Sequence, residues 1–240
     1  MKKSNVGTVF ILTFRAYAMG WFKQVLGLNA AKNPKMASPQ SSEFELPLGL
    51  AMGSRITLKA GLKDLLEGAT DIIVPDASTI MAIGTLDTGS GFQLIRCYLE
   101  NEHYFIQFLM NGPRASDIAS VILFGYHEVR ALDSQTELAR LIGAGSKIGM
   151  PYYELERTEY VRQWGTEDGQ TEMAVLTEQV VNAQHSYTVE HQCMLYARNL
   201  HLANRREFLL FSLETDEPAH LSLTTSVGVT LHLCDITLGF

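Results

Sequence analysis

Residues 81–110 alternate apolar runs with turn residues, a pattern that predicts three antiparallel strands joined by two tight turns. Residues 88–91 supply the first turn and residues 100–102 the second, with β-branched and aromatic residues on either side. Both faces of the second and third strands are largely apolar. Because such strands need cover on both sides, we expect this meander to lie inside a larger sheet.

Similar patterns predict a mainly β or α+β fold, in which antiparallel sheets are built from hairpins and meanders and helices are few. Further strands are predicted at residues 54–58, 71–74, 118–126, 152–155, 160–164, 173–181, 192–199, 207–214 and 221–233. One helix is predicted near 134–143, since Ser134 and Glu137 make a capping box and Gly143 ends the apolar periodicity. Residues 62–68 predict one or two further helical turns.

The first 42 residues differ in composition from the rest. Lys2 and Lys3 precede an apolar run and an Ala-x-Ala sequence, which is typical of a signal peptide. Arg15 interrupts that pattern where export signals are normally uncharged. We therefore favour the alternative, in which translation starts at Met19 and the residues before it are an upstream extension.

A short N-terminal amphipathic helix is predicted just after Met19. It contains Trp21 and Phe22, which are candidates for peripheral membrane contact. A linker rich in Ala, Lys, Pro and Ser follows and ends at residue 42. The whole segment 1–42 thus precedes one β-rich domain, residues 43–240.

A loose internal repeat within that domain gives the hypothesis of two similar β units, at about 43–130 and 150–240. Residues 94–108 and 194–211 both predict a hairpin with an Arg and a Tyr in its first strand.

Charge and cysteine content exclude several classes of protein. The formal net charge is −7, and Lys and Arg do not cluster after residue 3, so we expect no nucleic acid partner. Cys97, Cys193 and Cys234 are far apart and form no Cys-x-x-Cys pair. This spacing argues against a disulfide framework or zinc finger and favours a reducing cytoplasm.

Asp87 begins an Asp-Thr-Gly-Ser sequence, the signature of aspartic proteases. Those enzymes need two such carboxylates sharing a proton, and this chain has one copy. Asp and Gly are also favoured in hairpin turns for their backbone conformations. We therefore interpret Asp87 as a turn residue and keep an aspartic-peptidase-like hydrolase as the alternative.

Two other motifs could indicate a cofactor or metal. Residues 143–149 are Gly-rich with a Lys, but they follow a helix and miss the phosphate-loop spacing, so we interpret them as a helix C-cap and expect no cofactor. His185, His191, Cys193 and His201 could be metal ligands, yet no carboxylate motif completes a site. We expect no metal, and interpret Cys193 as buried and His191 as a surface residue; a catalytic Cys/His pair is the alternative.

Alternation along residues 160–164 places Tyr160, Arg162 and Trp164 on one strand face. Tyr, Arg and Trp are enriched at interaction hot spots, so this face is a candidate binding site, to which we add Tyr196 and Arg198. The alternative is a half-buried strand whose Arg stacks on aromatic rings.

Several short motifs recur in a known group of proteins. They are Leu46-Pro47-Leu48-Gly49-Leu50 with Gly53, Gly84 and Asp87-x-Gly89 with Arg96 and Tyr98, Tyr160-x-Arg162-x-Trp164-Gly165, Leu195-Tyr196-Ala197-Arg198 with Glu207-Phe208-Leu209-Leu210, and Ser226-Val227-Gly228. Together they resemble the YjfK-like family of bacterial proteins of unknown function, over about residues 19–240. The resemblance implies no catalytic residues. The genes of this family tend to lie beside those of membrane-stress proteins, so the resemblance implies an accessory role near the envelope.

These observations lead us to expect a non-catalytic cytoplasmic accessory protein that acts through protein contacts, with a membrane-associated partner. The alternatives are the hydrolase and a small-molecule binding module in a sheet cleft.

Overall fold

A computed structural model describes residues 45–88, 92–165, 168–202, 204–216 and 220–239. The predicted N-terminal helix with Trp21 and Phe22, and the linker after it, lie outside these residues.

The described residues form twelve strands and two helices, with bounds as follows. They are β1 Arg55–Leu58, α1 Leu62–Leu66, β2 Ser78–Asp87, β3 Gln93–Leu99, β4 Tyr104–Met110, β5 Ile118–Leu132, α2 Gln135–Ile142, β6 Tyr152–Leu155, β7 Thr158–Arg162, β8 Ala174–Asn182, β9 Ser186–Asn199, β10 Arg206–Asp216, β11 His220–Leu231 and β12 Ile236–Gly239.

Eight of these strands close into an antiparallel barrel. Two four-stranded meanders, β2–β5 and β8–β11, make its two halves. They join where β5 pairs with β11 and where β2 pairs with β8. Strands β1 and β12 extend the sheet beyond β2. An eight-stranded barrel has an interior just wide enough for side chains to fill.

The hairpin β6–β7 leaves the barrel wall because β9 is longer than its partner β8. The first part of β9 pairs with β8, whereas Tyr196 and Ala197 near its end pair with β7. The hairpin lies against the outer side of β9 and β10, where the ring centroid of Tyr153 is 4.7 Å from that of Phe211.

Apolar side chains form three layers, one inside the barrel and one on each covered outer face. The interior layer includes Ala82, Phe105, Phe124, Val180, Cys193 and Phe208. The outer layer on β2–β5, under residues 46–74 and β12, includes Ile56, Ile72, Ile95, Ile106 and Leu123. The outer layer on β9–β11, under α2 and the β6–β7 hairpin, includes Ile148, Tyr160, Tyr196, Leu209 and Phe211.

The predicted mainly β fold with few helices is confirmed, and so is the cover on both faces of β3 and β4. Helix α2 starts as predicted, because the Glu137 N–H donates to Ser134 Oγ at 3.2 Å. The strand predicted at 71–74 was wrong. Ile72 and Val74 are buried there as in a strand, but this stretch joins no ladder and only covers the barrel.

Each half of the barrel contains one of the two hairpins that suggested similar β units, β3–β4 and β9–β10. Their matching residue types have different surroundings, since Arg96 and Tyr98 face the interior while Tyr196 and Arg198 lie on the outer side. The similarity of the two units stays a prediction.

Candidate functional site

Four charged side chains meet inside the barrel, and we call them the interior cluster: Arg96, Glu178, His191 and Glu214. They come from β3, β8, β9 and β10, and none is more than 4% exposed. Each lies on the inward face of its strand; Glu178, for example, lies between Leu176 and Val180 on the inward face of β8. Burying charges is costly unless they are paired, so their contacts decide what the cluster can do.

Glu178 is the centre of the interior cluster. One carboxylate oxygen lies 2.9 Å from Arg96 Nη1 and 2.7 Å from His191 Nε2, and the other accepts from Tyr98 Oη at 2.8 Å. Gly84 provides the space for this carboxylate, because a Cβ at Gly84 would lie 1.6 Å from Glu178 Oε1. The contacts therefore bridge β8 to β3 across β2, one of the two junctions that close the barrel.

The other side of His191 faces Ser212 and Glu214. His191 Nδ1 lies 3.0 Å from Ser212 Oγ and 3.5 Å from Glu214 Oε1. Thr224 Oγ1 donates to the same Glu214 oxygen at 3.3 Å, whereas Glu214 Oε2 is buried with no hydrogen-bond partner among the described residues. A protonated His191 balances the cluster, giving two cations and two carboxylates.

The pKa values of Arg96, Glu178 and His191 shift in the directions expected for this pairing. Burial opposes the charge on Arg96, but Glu178 and Tyr98 raise its pKa overall. Burial also opposes ionisation of Glu178, yet Arg96, His191 and Tyr98 lower its pKa overall. Burial alone would lower the pKa of His191, whereas its contacts with Glu178 and Glu214 raise it.

Stability should therefore fall as the pH rises above 6.5. A histidine with a raised folded-state pKa stabilises fully below its ordinary value of 6.5, and that contribution is lost as the pH rises through the folded value. For one proton the slope is at most about 1.4 kcal/mol per pH unit. Glu178 acts oppositely, since its contribution is complete above its ordinary value of 4.5 and is lost at lower pH.

Urea denaturation between pH 5 and pH 9 measures this slope. Replacement His191→Gln should remove the part of it that His191 causes, while the other six histidines are unchanged. The same alkaline slope in both proteins would contradict the assignment.

A second buried centre lies on the outer side of the barrel, and we call it the outer cluster: Glu207 with Thr70, Asp71, Tyr160 and Arg198. Glu207 is fully buried, and its oxygens accept from Thr70 Oγ1, from the Asp71 amide at 3.3 Å, from Tyr160 Oη at 3.0 Å and from Arg198 Nε. Arg198 also donates to the Ala69 carbonyl at 3.0 Å. One carboxylate thus fastens both the β6–β7 hairpin and the 69–71 segment to β10.

Arg162 and Tyr196 form a further contact beside the outer cluster. Tyr196 Oη accepts from the Gly149 amide at 2.7 Å, and Arg162 Nη1 donates to the Gly149 carbonyl and to the Gly169 carbonyl at 2.8 Å. These bonds fix the loop after α2 against β7 and β9. The Tyr196 hydroxyl and Arg162 Nη1 are therefore bound within the chain.

The structure brings the five predicted binding residues together, but on a covered face. Tyr160, Arg162 and Tyr196 are buried, whereas Arg198 and Trp164 are partly exposed. The Arg198 guanidinium lies 5.8 Å from the ring centroid of Tyr160, a cation–π contact, whereas the alternative of an Arg stacked on aromatic rings concerned Arg162. Their role in binding stays a prediction, and what they demonstrably contact is the rest of the chain.

The opposite face of the β6–β7 hairpin is open, and we call it the hairpin face: Tyr152, Glu154, Glu159 and Val161. Tyr152 pairs with Val161 across the two strands, and Glu154 pairs with Glu159. Tyr152 is 60% exposed and Val161 is 47% exposed. Alternation places these residues directly behind the buried Tyr160 and Arg162.

The remaining candidate residues occupy separate places. Asp87 is exposed at the end of β2 and pairs with Gln93 of β3, as expected for a hairpin. Cys193 is buried as predicted, and burial raises its pKa, with its Sγ 3.6 Å from Ser212 Oγ. The interpretation of His191 as a surface residue was wrong. Across the described residues, no three His, Cys, Asp or Glu side chains are arranged to hold a metal ion.

Sequence reasoning missed Glu178, Glu207 and Glu214 altogether. Glu214 stands in β10, which is buried on both faces and shows no alternation, but a signal was present for Glu178, which stands in the apolar phase of the otherwise alternating strand β8. A charged residue in that phase indicates a buried partner of opposite charge. Glu207 comes one residue before an apolar run, and nothing local marks it as buried.

Comparison with known proteins places the chain in an uncharacterised group. Residues 21–237 match the family described as "Protein of unknown function (DUF2491)". The chain is 27% identical over 198 residues to the uncharacterized protein YjfK of Escherichia coli (strain K12), an alignment that covers 79% of this chain and 89% of that protein. No solved structure matches. Among the described helices, none is both long and apolar enough to cross a membrane.

Proposed function

The chain belongs to the DUF2491 family of proteins of unknown function, and from that premise we propose that it is a non-catalytic cytoplasmic accessory protein that binds another protein. The observation that carries this proposal is the hairpin face, an exposed aromatic and aliphatic pair on a rigidly held strand pair. A membrane-associated partner, linked to envelope stress, is part of the proposal. Trp21 and Phe22 support it from the sequence alone.

The hairpin face has the composition of an interaction surface. Tyrosine is enriched at protein interfaces, and here Tyr152 lies beside Val161 on the neighbouring strand. Met150, two residues before Tyr152 in the sequence, is 37% exposed. Strand β6 is also the last strand of the sheet path, and β7 is its only ladder partner among the described residues. An edge of this kind can accept an extended segment of a partner.

Rigidity favours binding at this hairpin. Its inner side is fixed by Tyr160 to Glu207, by Arg162 to Gly149 and by the ring of Tyr153 on Phe211. A surface held in place before binding loses little conformational entropy when a partner arrives.

The charges of the hairpin face suggest the chemistry of the partner. Glu154 and Glu159 are exposed and directly opposite each other, an arrangement that costs energy because like charges repel across strands. A Lys or Arg of the partner would relieve that repulsion, while an apolar side chain covers Tyr152. We therefore propose an extended partner segment that combines basic and apolar residues.

Co-purification of the chromosomally tagged protein, with and without changes in the hairpin face, tests the proposal. Tyr152→Ser with Val161→Thr should reduce recovery of the specific partner at least about tenfold, since hot-spot side chains cost about 2 kcal/mol or more. Val175→Thr is the matched control, because Val175 is 70% exposed on β8 and outside the hairpin face. Equal recovery of every co-purifying protein by all three forms would refute a contact at this face.

A further inference from the structure

We propose that a cavity beside α2 binds an aliphatic monocarboxylate of medium chain length. The cavity has a volume of about 260 Å³ and lies between α2 with its following loop, the β6–β7 hairpin and the outer side of β5, β10 and β11. It is separate from the hairpin face, and ligand binding there would not require the protein partner proposed above.

The inner surface of the cavity is apolar. Phe211, Leu223 and Ile148 line it and are themselves nearly buried. Leu141 of α2 and the β6 residues Tyr153 and Leu155 complete the apolar lining. A hydrocarbon chain in this space would remove apolar surface from water on several sides, at about 25 cal/mol per Å².

Helix α2 itself shows that its apolar side is incompletely covered. No residue of α2 is fully buried, although Leu138, Leu141 and Ile142 all pack partly against the outer layer. An aliphatic chain in the cavity would cover this side of the helix. This incomplete cover of α2 supports an apolar ligand independently of the shape of the cavity.

The charge at the cavity supports an anionic head group. Arg130, Arg140 and Lys147 line it together with one acid, Glu128, in a chain whose net charge is −7. Glu128 accepts a hydrogen bond from Arg130 at 2.8 Å, so these two charges satisfy each other. Arg140 and Lys147 make no side-chain hydrogen bond or ion pair within the described residues and are available to a carboxylate.

The volume leaves room for a chain of medium length. The space open to water-sized groups is about 260 Å³, many times the roughly 10–15 Å³ that one such group needs on this measure. Octanoate fits this space when its carboxylate lies at the edge, between Arg140 and Lys147. Its fixed charge distinguishes it from an alcohol of the same length, which offers the apolar contacts alone.

Titration of the full-length protein with octanoate, followed by NMR and calorimetry, tests this assignment. We expect saturable binding with the largest shifts at the methyl groups of Leu141 and Leu223. Acetate, which has the charge without the chain, should bind at least about tenfold more weakly, and so should 1-octanol, which has the chain without the charge. Equal affinity for octanoate and 1-octanol, or no saturable binding of octanoate, would overturn the assignment.

Variants inside and outside the cavity test whether octanoate binds specifically at this site. Arg140→Glu with Lys147→Glu should weaken octanoate binding at least about tenfold. Lys59→Glu with Lys63→Glu makes the same change in net charge at exposed positions outside the cavity, and should alter affinity less than about twofold. Leu141→Trp should fill the cavity and block binding. Similar losses in both charge-reversed proteins would indicate non-specific attraction and would exclude a built site.

Discussion

Replacement Glu178→Gln is expected to lower the free energy of unfolding by about 3 to 5 kcal/mol. The glutamine is nearly the same size, so the change removes charge without opening a cavity. It leaves the buried guanidinium of Arg96 without its carboxylate and removes the anion beside His191 Nε2. An uncompensated buried charge is among the few single changes that cost this much.

Thermal and urea unfolding measure the loss. For a chain of this size, 3 to 5 kcal/mol corresponds to a fall in Tm of about 6 to 20 °C. Glu190→Gln, an exposed glutamate on β9, removes the same charge and should change stability by less than about 0.5 kcal/mol. Arg96→Met added to Glu178→Gln should cost less than the sum of the two single changes, because the pair is then removed together.

The damage should also be localised. Glu178 lies on β8 and its partners Arg96 and Tyr98 lie on β3, with β2 between them. Amide exchange should therefore accelerate first in β2 and β8, where the barrel closes. A loss below about 1 kcal/mol, or uniform acceleration across all strands, would show that the interior cluster does not hold this junction.

Local sequence patterns predicted most of the strands because alternation of apolar and polar residues reports which face is buried. They could not predict the closure of the barrel, since the pairing of β5 with β11 and of β2 with β8 joins segments far apart in the chain. The first part of β9, from Ser186, and the short β12 were missed because each offers only two apolar side chains on its covered face. The opposite error occurred at Ile72 and Val74, which alternate correctly but have no strand to pair with.

The candidate sites show the same limit. The pattern grouped Tyr160 with Arg162 correctly on one side of β7, but residue types alone did not reveal that this side is turned inward. Tyr160 is held on that side by Glu207, a buried carboxylate supplied by another strand, and Arg162 by the carbonyls of Gly149 and Gly169. His191 shares its inward face with Val189 and Cys193, so its phase predicted burial better than its residue type did.

Replacement Glu207→Gln is expected to cost about 2 to 4 kcal/mol. The loss should be smaller than at Glu178, because the Arg198 side chain is 28% exposed and can regain water. Chemical denaturation measures it, with Glu190→Gln again as the matched control, since Glu190 is an exposed glutamate on the neighbouring strand β9. A change below about 0.5 kcal/mol would contradict the role given to the outer cluster.

A local readout separates this effect from a general loss of stability. Asp71 donates its amide to Glu207, and the Arg162 amide donates to the Pro151 carbonyl inside the hairpin that Glu207 holds. Exchange at both amides should accelerate by at least about tenfold, which corresponds to 1.4 kcal/mol of local opening, while β3 stays protected.

The same replacement bears on the proposed partner, because the outer cluster positions the hairpin face without being part of it. Glu207→Gln should therefore weaken partner recovery although Tyr152 and Val161 are unchanged, since a loosened hairpin must be ordered again on binding. Glu178→Gln shares no partner side chain with Glu207 and should affect recovery only as far as it unfolds the protein. Equal recovery by the Glu207→Gln protein, together with faster exchange in the hairpin, would show that the partner does not depend on a preformed hairpin face.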